Sequence, residues 1–197
     1  MDFVSANPSV VRSIRQRAML NSWLRLYARA NQPPKFDDFK QDGLPRELDD
    51  LVFCSVESCG DETSFLIESD GLRAYQAYGK SGKGRYLHEY LPRAVRDRIT
   101  LIYAECVRRR LPVYTVSRVN DIIGVEVEFE RLLLPFTGAS GIEWVVASLN
   151  TLSIDGGFEI RHLMKRSESL PVNDFLSIID QKLFHQTIGK KELDEIV

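Results

Sequence analysis

Three apolar segments in the second half of the chain, separated by short polar turns, constrain the fold more than any other feature. Between positions 125 and 130, valine and phenylalanine alternate with glutamate, the period-two pattern of a strand with one buried and one solvated face. Similar segments at 113–119 and 144–154 lie on either side. Because parallel strands need a long crossover connection, strands joined by such short turns must pair antiparallel. The sequence therefore predicts an antiparallel sheet here, with the glutamates on its solvated face.

The alternation fails at Arg131, because the next three residues, 132–134, are all leucine. Either a β-bulge resets the register at this point, or both faces of the strand become covered. In the unbulged register Arg131 points inward, and a buried guanidinium is costly unless it meets an anion or a carboxylate. Arg131 is therefore a candidate ligand-binding residue.

The remaining elements are predicted from the periodicity of apolar residues and from the turn residues between the segments. Two short strands at 51–56 and 63–67 are joined by a turn at 59–61, and helical pieces follow at 71–78, 86–91 and 95–106. The last helix is the clearest, because its apolar residues recur at spacings of four, three and four. The three arginines at 108–110 suit its C-terminal dipole, which explains them without nucleic acid. Helical spacing at 172–184 predicts a closing helix.

These elements define an α+β protein with a five-stranded antiparallel sheet, helices on one face and a flanking helix at each end. The predicted organisation is a helical extension at 1–35, a central domain at 36–157, and a linker and helix at 158–197. Phe36 and Phe39 are expected to fix the polar linker that opens the central domain.

The N-terminal helix is predicted to start at Asn7-Pro8 and to end near Asn31. Its apolar residues occupy two nearly opposite sides, one in each half of the helix. The second half suits the domain core, and the first half suits another subunit, which predicts a homodimer; a helix broken near 19–21 explains the pattern equally well. The residues expected at the dimer interface are Val11, Ile14 and Ala18.

Composition excludes several classes of protein. The net charge of −2 gives no reason to expect nucleic-acid binding, and no apolar run approaches the ~18 residues of a membrane span. The three cysteines form no CxxC pair and the three histidines are far apart, so neither a disulfide framework nor a metal site is predicted. Reduced thiols favour a cytoplasmic protein.

Gly79-Lys80-Ser81 lacks the glycine that a phosphate loop needs. The sequence also shows no set of nucleophile, base and orienting group, so an enzyme is not expected.

The order of the elements and a set of short segments carry a family likeness. Two short strands, a group of helices and three long strands, over roughly Phe36 to Asp155, resemble a compact bacterial PAS-type domain family. The resemblance implies a sensory or scaffolding domain that can hold a small ligand between sheet and helices, and that dimerises through flanking helices. With no recognisable output domain, its signal would leave through a partner protein. The segments that carry the likeness are Phe65–Tyr78, Gly84-Arg85, Glu89–Pro92, Arg110–Val113 and Glu130–Pro135.

A pocket between sheet and helices would be lined by aromatic and polar groups on the inner faces. No cofactor motif is present; a haem ligand in this region would have to be His88, for which a surface position is the better interpretation. Plain core packing is the alternative explanation of the aromatic residues. Two other functions stay open: a ligand-free adaptor whose basic N-terminal helix binds an acidic partner, and an enzyme that uses the same pocket. The candidate pocket residues are Tyr75, Tyr78, Tyr103, Phe129 and Arg131.

Overall fold

Seven strands form one mixed sheet in the computed structural model, which describes residues 2–45, 48–59, 62–153, 156–164 and 172–180. Their order across the sheet is β1-β7-β4-β5-β6-β2-β3. Every neighbouring pair is antiparallel except β1 and β7, which are parallel. The strands are β1 (Val4–Ala6), β2 (Leu51–Cys59), β3 (Glu62–Asp70), β4 (Val113–Asn120), β5 (Glu126–Thr137), β6 (Ile142–Ser153) and β7 (Val172–Ile179).

The α+β class is confirmed, and the predicted five-stranded antiparallel sheet is wrong. The five predicted strands are present and adjacent, but β7 and β1 extend the sheet beyond β4. The closing helix predicted at 172–184 is instead β7 over residues 172–179; positions 181–184 lie outside the described residues. Phe175 and Ile179 pack on one face of β7, and Leu176 and Ile178 pack on the other. A strand covered on both faces lacks a polar face, so its sequence shows no clean alternation.

Helices cover both faces of the sheet, so the prediction of helices on one face is wrong. On one face, α3, α4 and α5 enclose a core with strand residues such as Phe65 and Phe129. On the other face, α1 and α2 enclose a second core that includes Trp23, Phe39 and Phe136. The helices are α1 (Ile14–Ala30), α2 (Phe36–Asp42), α3 (Leu72–Tyr78), α4 (Leu87–Tyr90) and α5 (Arg93–Arg109).

The N-terminal helix is not continuous from Asn7. Asn7 caps only a short 3-10 turn, Pro8–Val10, by accepting a hydrogen bond from the Ser9 amide. After an extended segment, Ser13 caps α1. The helix ends at Ala30, and Asn31 follows it in the left-handed conformation that is common after a helix, close to the predicted end. The break therefore lies at 11–13 rather than at 19–21, because proline and serine provide two successive caps.

The second half of α1 packs on the sheet, as predicted. Leu20 and Trp23 are fully buried, and the Trp23 indole donates a 2.8 Å hydrogen bond to the carbonyl of Pro135 in β5. The segment expected to be a polar linker forms α2, in which Phe39 is fully buried against Phe136. Phe36 stacks on Trp144. Both phenylalanines thus hold this segment to the sheet.

The middle helices agree with their predicted positions. The predicted face of α5 is confirmed, because Val95, Ile99, Ile102 and Cys106 are all buried. The predicted pieces at 71–78 and 86–91 contain α3 and α4. Two residues of the turn predicted at 59–61, Gly60 and Asp61, lie outside the described residues.

One sheet includes residues from all three predicted segments. β1 belongs to the predicted N-terminal extension, and β7 belongs to the predicted C-terminal segment. These two strands pair with each other, and β7 pairs with β4 of the central domain. The sheet therefore crosses both predicted boundaries.

Candidate functional site

A cavity of about 20 Å³ lies between the sheet and the helices α3, α4 and α5. A volume of this size holds roughly one water molecule. Its polar lining comes from Asp70, Tyr78, Tyr90, Tyr103 and Arg131. The rest of the wall is apolar, and includes Val52, Ile67, Leu87, Ile99 and Leu149.

Arg131 reaches this cavity from the middle of β5. It pairs with Thr115 of β4 and Leu149 of β6 without a register shift, so no bulge is present at this point. The side chain is 4% exposed. Of the two predicted arrangements, a bulge or a strand covered on both faces, the second is present, and Arg131 points inward. The prediction that an unbulged Arg131 is buried is confirmed.

The immediate contacts of the guanidinium are aromatic. It lies 5.4 Å from the centroid of the Phe129 ring, which supplies a cation–π contact. It also forms a hydrogen bond with Tyr78, in which the guanidinium donates to the hydroxyl oxygen. Within the described ranges, no carboxylate forms an ion pair with Arg131. The guanidinium is therefore buried without a direct carboxylate partner among the described residues, although Asp70 lies elsewhere in the same wall.

The three cavity tyrosines are neutral. Burial raises the pKa of Tyr78, although the nearby charge of Arg131 acts in the opposite direction. Burial also raises the pKa of Tyr90 and that of Tyr103. A neutral phenol retains its proton and can donate a hydrogen bond to an anion. The arrangement thus combines one cation with neutral hydroxyl groups in a largely apolar wall.

Asp70, the acidic residue of the cavity wall, is held by the glycine-containing loop at 80–85. Its carboxylate accepts hydrogen bonds from the Ser81 hydroxyl at 2.9 Å and from the Gly82 amide at 2.8 Å. The Tyr90 hydroxyl donates to the Lys80 carbonyl at 3.2 Å, and the Lys80 ammonium lies 5.3 Å from the Tyr90 ring. The loop therefore packs directly on two polar residues of the cavity wall.

Gly82 lies so close to the wall that a side chain at this position would displace Ile67. A Cβ atom at this position would lie 2.8 Å from Cδ1 of Ile67 and 3.1 Å from Cδ2 of Tyr90. The neighbouring Gly84 amide donates to the Ile67 carbonyl at 2.8 Å, and the Ile67 amide donates to the Arg85 carbonyl at 3.0 Å. These bonds fix the loop to β3, on the side away from β2.

The structure brings together three of the five predicted pocket residues. Tyr78, Tyr103 and Arg131 line the same cavity. Phe129 is buried below the guanidinium but does not line the cavity, and Tyr75 is 50% exposed and lies outside it. Tyr75 and Tyr78 are three positions apart on a short helix, and sequence spacing did not show which of them faces the sheet.

Two polar lining residues were missed from the sequence. Asp70 is the last residue of β3, and Tyr90 is the last residue of α4. The signal for Asp70 was its position directly before Gly71 at a strand end. Tyr90 carried only the weak signal of an aromatic residue in a short helical segment.

Of the three residues predicted at a dimer interface, one is buried in its own chain and two are exposed. Val11 is fully buried in the second core of its own chain, so it is not available to a second subunit in this structure. Ile14 is 84% exposed and Ala18 is exposed. His88, the residue considered for haem, is exposed, stacks on Tyr86 and does not line the cavity.

A second charged cluster lies on the opposite face of β5 and corrects the prediction of a solvated glutamate face. Glu126 is exposed, but Glu130 is 1% exposed, because the N-terminal segment covers this part of the strand. Arg12 contacts Glu128 at 2.8 Å and Glu130 at 3.0 Å. Asn150 of β6 donates a further 2.9 Å hydrogen bond to Glu130. Burial of the carboxylate is thus offset by an ion pair and an amide.

Comparison with known proteins identifies no relative: no family model, no curated protein and no solved structure matches this chain. In the part of the chain that the structure describes, no helix is long and apolar enough to cross a membrane. The same residues contain no group of three or more histidine, cysteine or acidic side chains placed to hold a metal ion.

Proposed function

We propose that this chain is a PAS-like sensory or regulatory module that binds a small molecule between the sheet and the helices α3 to α5. It is proposed as a binding module rather than an enzyme, and as one that passes its signal to a partner protein. The observation that carries the proposal is the buried guanidinium of Arg131, which faces a cavity without a carboxylate partner among the described residues.

The arrangement of the strands supports the family likeness within this proposal. The strands β4-β5-β6-β2-β3 are consecutive neighbours and pair antiparallel, and α3, α4 and α5 lie between β3 and β4 in the chain. This is the order of elements on which the resemblance was based. The cavity lies where that resemblance would place a ligand, between the sheet and the inserted helices.

The free-energy cost of burying the Arg131 guanidinium is a stronger argument for a ligand than the shape of the cavity is. Removal of a charge from water costs several kcal/mol unless a partner offsets it. A cation–π contact and a hydrogen bond to a neutral phenol offset only part of this cost. Nothing in plain core packing requires an arginine at this position, where leucine or methionine would fill the space.

A ligand larger than water requires the cavity to widen, and the loop at 80–85 is the part placed to move. Its contacts with Asp70, Tyr90 and β3 are hydrogen bonds and one cation–π contact, and apart from Gly82 its residues are exposed. Such contacts open at lower cost than a packed helix does. The loop is therefore the expected entrance.

Native mass spectrometry of the protein, purified without denaturation, tests the proposal. We expect a retained small mass, or a compound that raises the melting temperature in a screen of metabolites. The variant Leu149→Phe places extra volume in the cavity wall and should abolish both signals. Leu152→Phe is the matched control, because Leu152 lies on the same strand and is 48% exposed. Retention of the mass by the Leu149 variant would place the ligand elsewhere.

A second candidate function is a ligand-free adaptor that binds an acidic partner. It is favoured by the small volume of the cavity and by the exposed arginines of α1, Arg17, Arg25 and Arg29. In either function, dimerisation through the exposed side of α1, near Ile14 and Ala18, is part of the proposal. A chain that carries no mass and responds to no compound would favour the adaptor over the sensor.

A further inference from the structure

We infer that the cavity binds the anion of a short-chain carboxylic acid, with its carboxylate on Arg131 and its hydrocarbon part against the aliphatic wall. This inference rests on the proposed function, because it identifies the ligand class of the same site.

The guanidinium of Arg131 selects an anion at its own end of the cavity. Arg131 brings a positive charge to a cavity whose three tyrosines are neutral. The carboxylate of Asp70 is engaged by two hydrogen bonds from the loop, and among the described residues it forms no ion pair with Arg131. A guanidinium presents parallel N–H donors that match the two oxygens of a carboxylate. The Tyr78 hydroxyl accepts a bond from Arg131 and retains its own proton, so it can donate to the same carboxylate.

The rest of the wall selects a carboxylate over an inorganic oxyanion. Phosphate and sulfate carry several acceptor oxygens that need donors around them. Here the cavity wall is mostly aliphatic and aromatic, with Ile67, Ile99 and Leu149 in it, and its acidic residue, Asp70, is held by the loop. A short hydrocarbon chain gains free energy when it is buried against such a surface. The ligand that satisfies both parts of the site has one anionic end and one apolar end.

The volume of the cavity limits the length of that chain. About 20 Å³ of free space accommodates no more than roughly a water molecule before the wall moves. Each additional methylene requires further displacement of packed side chains. Acids of two to four carbons are therefore expected to bind better than longer fatty acids.

A thermal-unfolding series with sodium propionate tests the inference, with propionamide and sodium chloride at matched ionic strength as controls. Propionamide has nearly the same shape as propionate but no charge. At a tenfold excess over its Kd, propionate is expected to raise the melting temperature by about 3–6 °C. Propionamide and chloride are expected to produce no comparable shift. An equal shift with propionamide or chloride would overturn the inference.

Two variants of Arg131 distinguish a role in propionate binding from a role in the stability of the free protein. Arg131→Met removes a buried charge, so it should raise the melting temperature of the free protein and abolish the propionate shift. Arg131→Lys keeps the charge but loses the paired donors, and should weaken propionate binding by about tenfold. The control Arg85→Met removes an exposed arginine of the loop and should retain the full shift. A propionate shift that survives in both Arg131 variants would contradict the assignment.

The same measurements distinguish failure of the inference from failure of the proposed function. A neutral compound that stabilises the protein, and whose effect is lost in the Leu149→Phe variant, would overturn the carboxylate and leave the binding module intact. A protein that retains no mass and responds to neither charged nor neutral compounds would overturn both.

Discussion

Asp50 shows how one buried carboxylate can join parts of the chain that are distant in sequence. Its side chain contacts Arg15 of α1 at 2.7 Å and also forms an ion pair with Arg73 of α3. Its backbone carbonyl accepts a 2.8 Å hydrogen bond from the Leu149 amide of β6. Since α1 and α3 lie on opposite faces of the sheet, Asp50 connects both helical layers next to the start of β2.

Replacement of Asp50 by asparagine is expected to lower the free energy of unfolding by about 1–2 kcal/mol. The shape of the side chain is retained, but both arginines lose their counter-charge. Their partial exposure, 31% and 44%, screens the pairs and keeps the effect below that of a fully buried bridge. Urea denaturation measures the change.

The control for Asp50 is Asp37→Asn, which removes an ion pair with Lys40 on the surface of α2. Asp37 is 86% exposed, so the midpoint of unfolding should hardly move. Equal midpoints for the two variants would show that Asp50 does not join the layers.

At the scale of single elements, the C-terminal turn of α5 has its own electrostatic support. Glu105 pairs with both Arg108 and Arg109, at spacings of three and four residues. The hydrogen bond from Arg108 is the main cause that lowers the pKa of Glu105 to about 2, and Arg109 contributes in the same direction. The arginines also lie near the negative end of the helix dipole. This turn is therefore more stable when Glu105 is ionised.

The stability that Glu105 contributes should depend on pH in a defined direction. Because the pKa is lower in the folded state than its usual value of 4.5, the contribution is present above pH 4.5. It is lost as the pH falls toward about 2. Urea midpoints of the wild type and Glu105→Gln should therefore differ at neutral pH and converge in acid. High salt at neutral pH should also narrow the difference, and a gap that widens in acid would contradict the assignment.

The sequence predicted those elements that have one polar face. The apolar positions of α5 recur at helical spacing because the opposite side carries charged residues that face water. In the described part of β7, residues 175–179, apolar side chains pack on both faces, so Phe175, Ile178 and Ile179 fit a helix as well as a strand. β1 contains only three residues, too few for any period, and its position depends entirely on pairing with β7.

Only the part of the candidate site that departs from a local sequence pattern could be predicted. Arg131 falls where the alternation of β5 calls for an apolar residue, and that mismatch predicted a buried charge in the unbulged register. Asp70 and Tyr90 join the site through a loop that folds back on β3, and no local pattern reports such a contact. The difference between Tyr75 and Tyr78 depends on which side of α3 meets the sheet, which is a tertiary property.

At the scale of the whole molecule, both cores depend on residues from outside the predicted central domain. The core beneath α1 includes strand residues such as Tyr114, Leu132 and Phe136, each no more than 1% exposed. Trp23 of α1 is fully buried against this face. β7 covers the side of β4 that β5 does not pair with. The N- and C-terminal segments thus complete the sheet and one of its two helical layers.

A fragment of residues 36–157 is therefore not expected to fold cooperatively. It lacks β1, α1 and β7, so it exposes the second core and leaves β4 as an unprotected edge. Thermal melts by circular dichroism, with the full chain as control, measure the transition. A fragment that melts sharply and stays monomeric would instead support an independent domain with boundaries at 36 and 157.

Glu130 and Arg131 are consecutive residues of β5, and their side chains point to opposite faces of the sheet. Glu130 belongs to the ion-pair cluster with Arg12, whereas Arg131 belongs to the cavity. Because adjacent Cα atoms of one strand carry both side chains, a displacement of β5 at this position would move the two together. In the proposed binding module, a shift of β5 on the cavity side would therefore be felt by the Arg12 ion pair on the other face of the sheet.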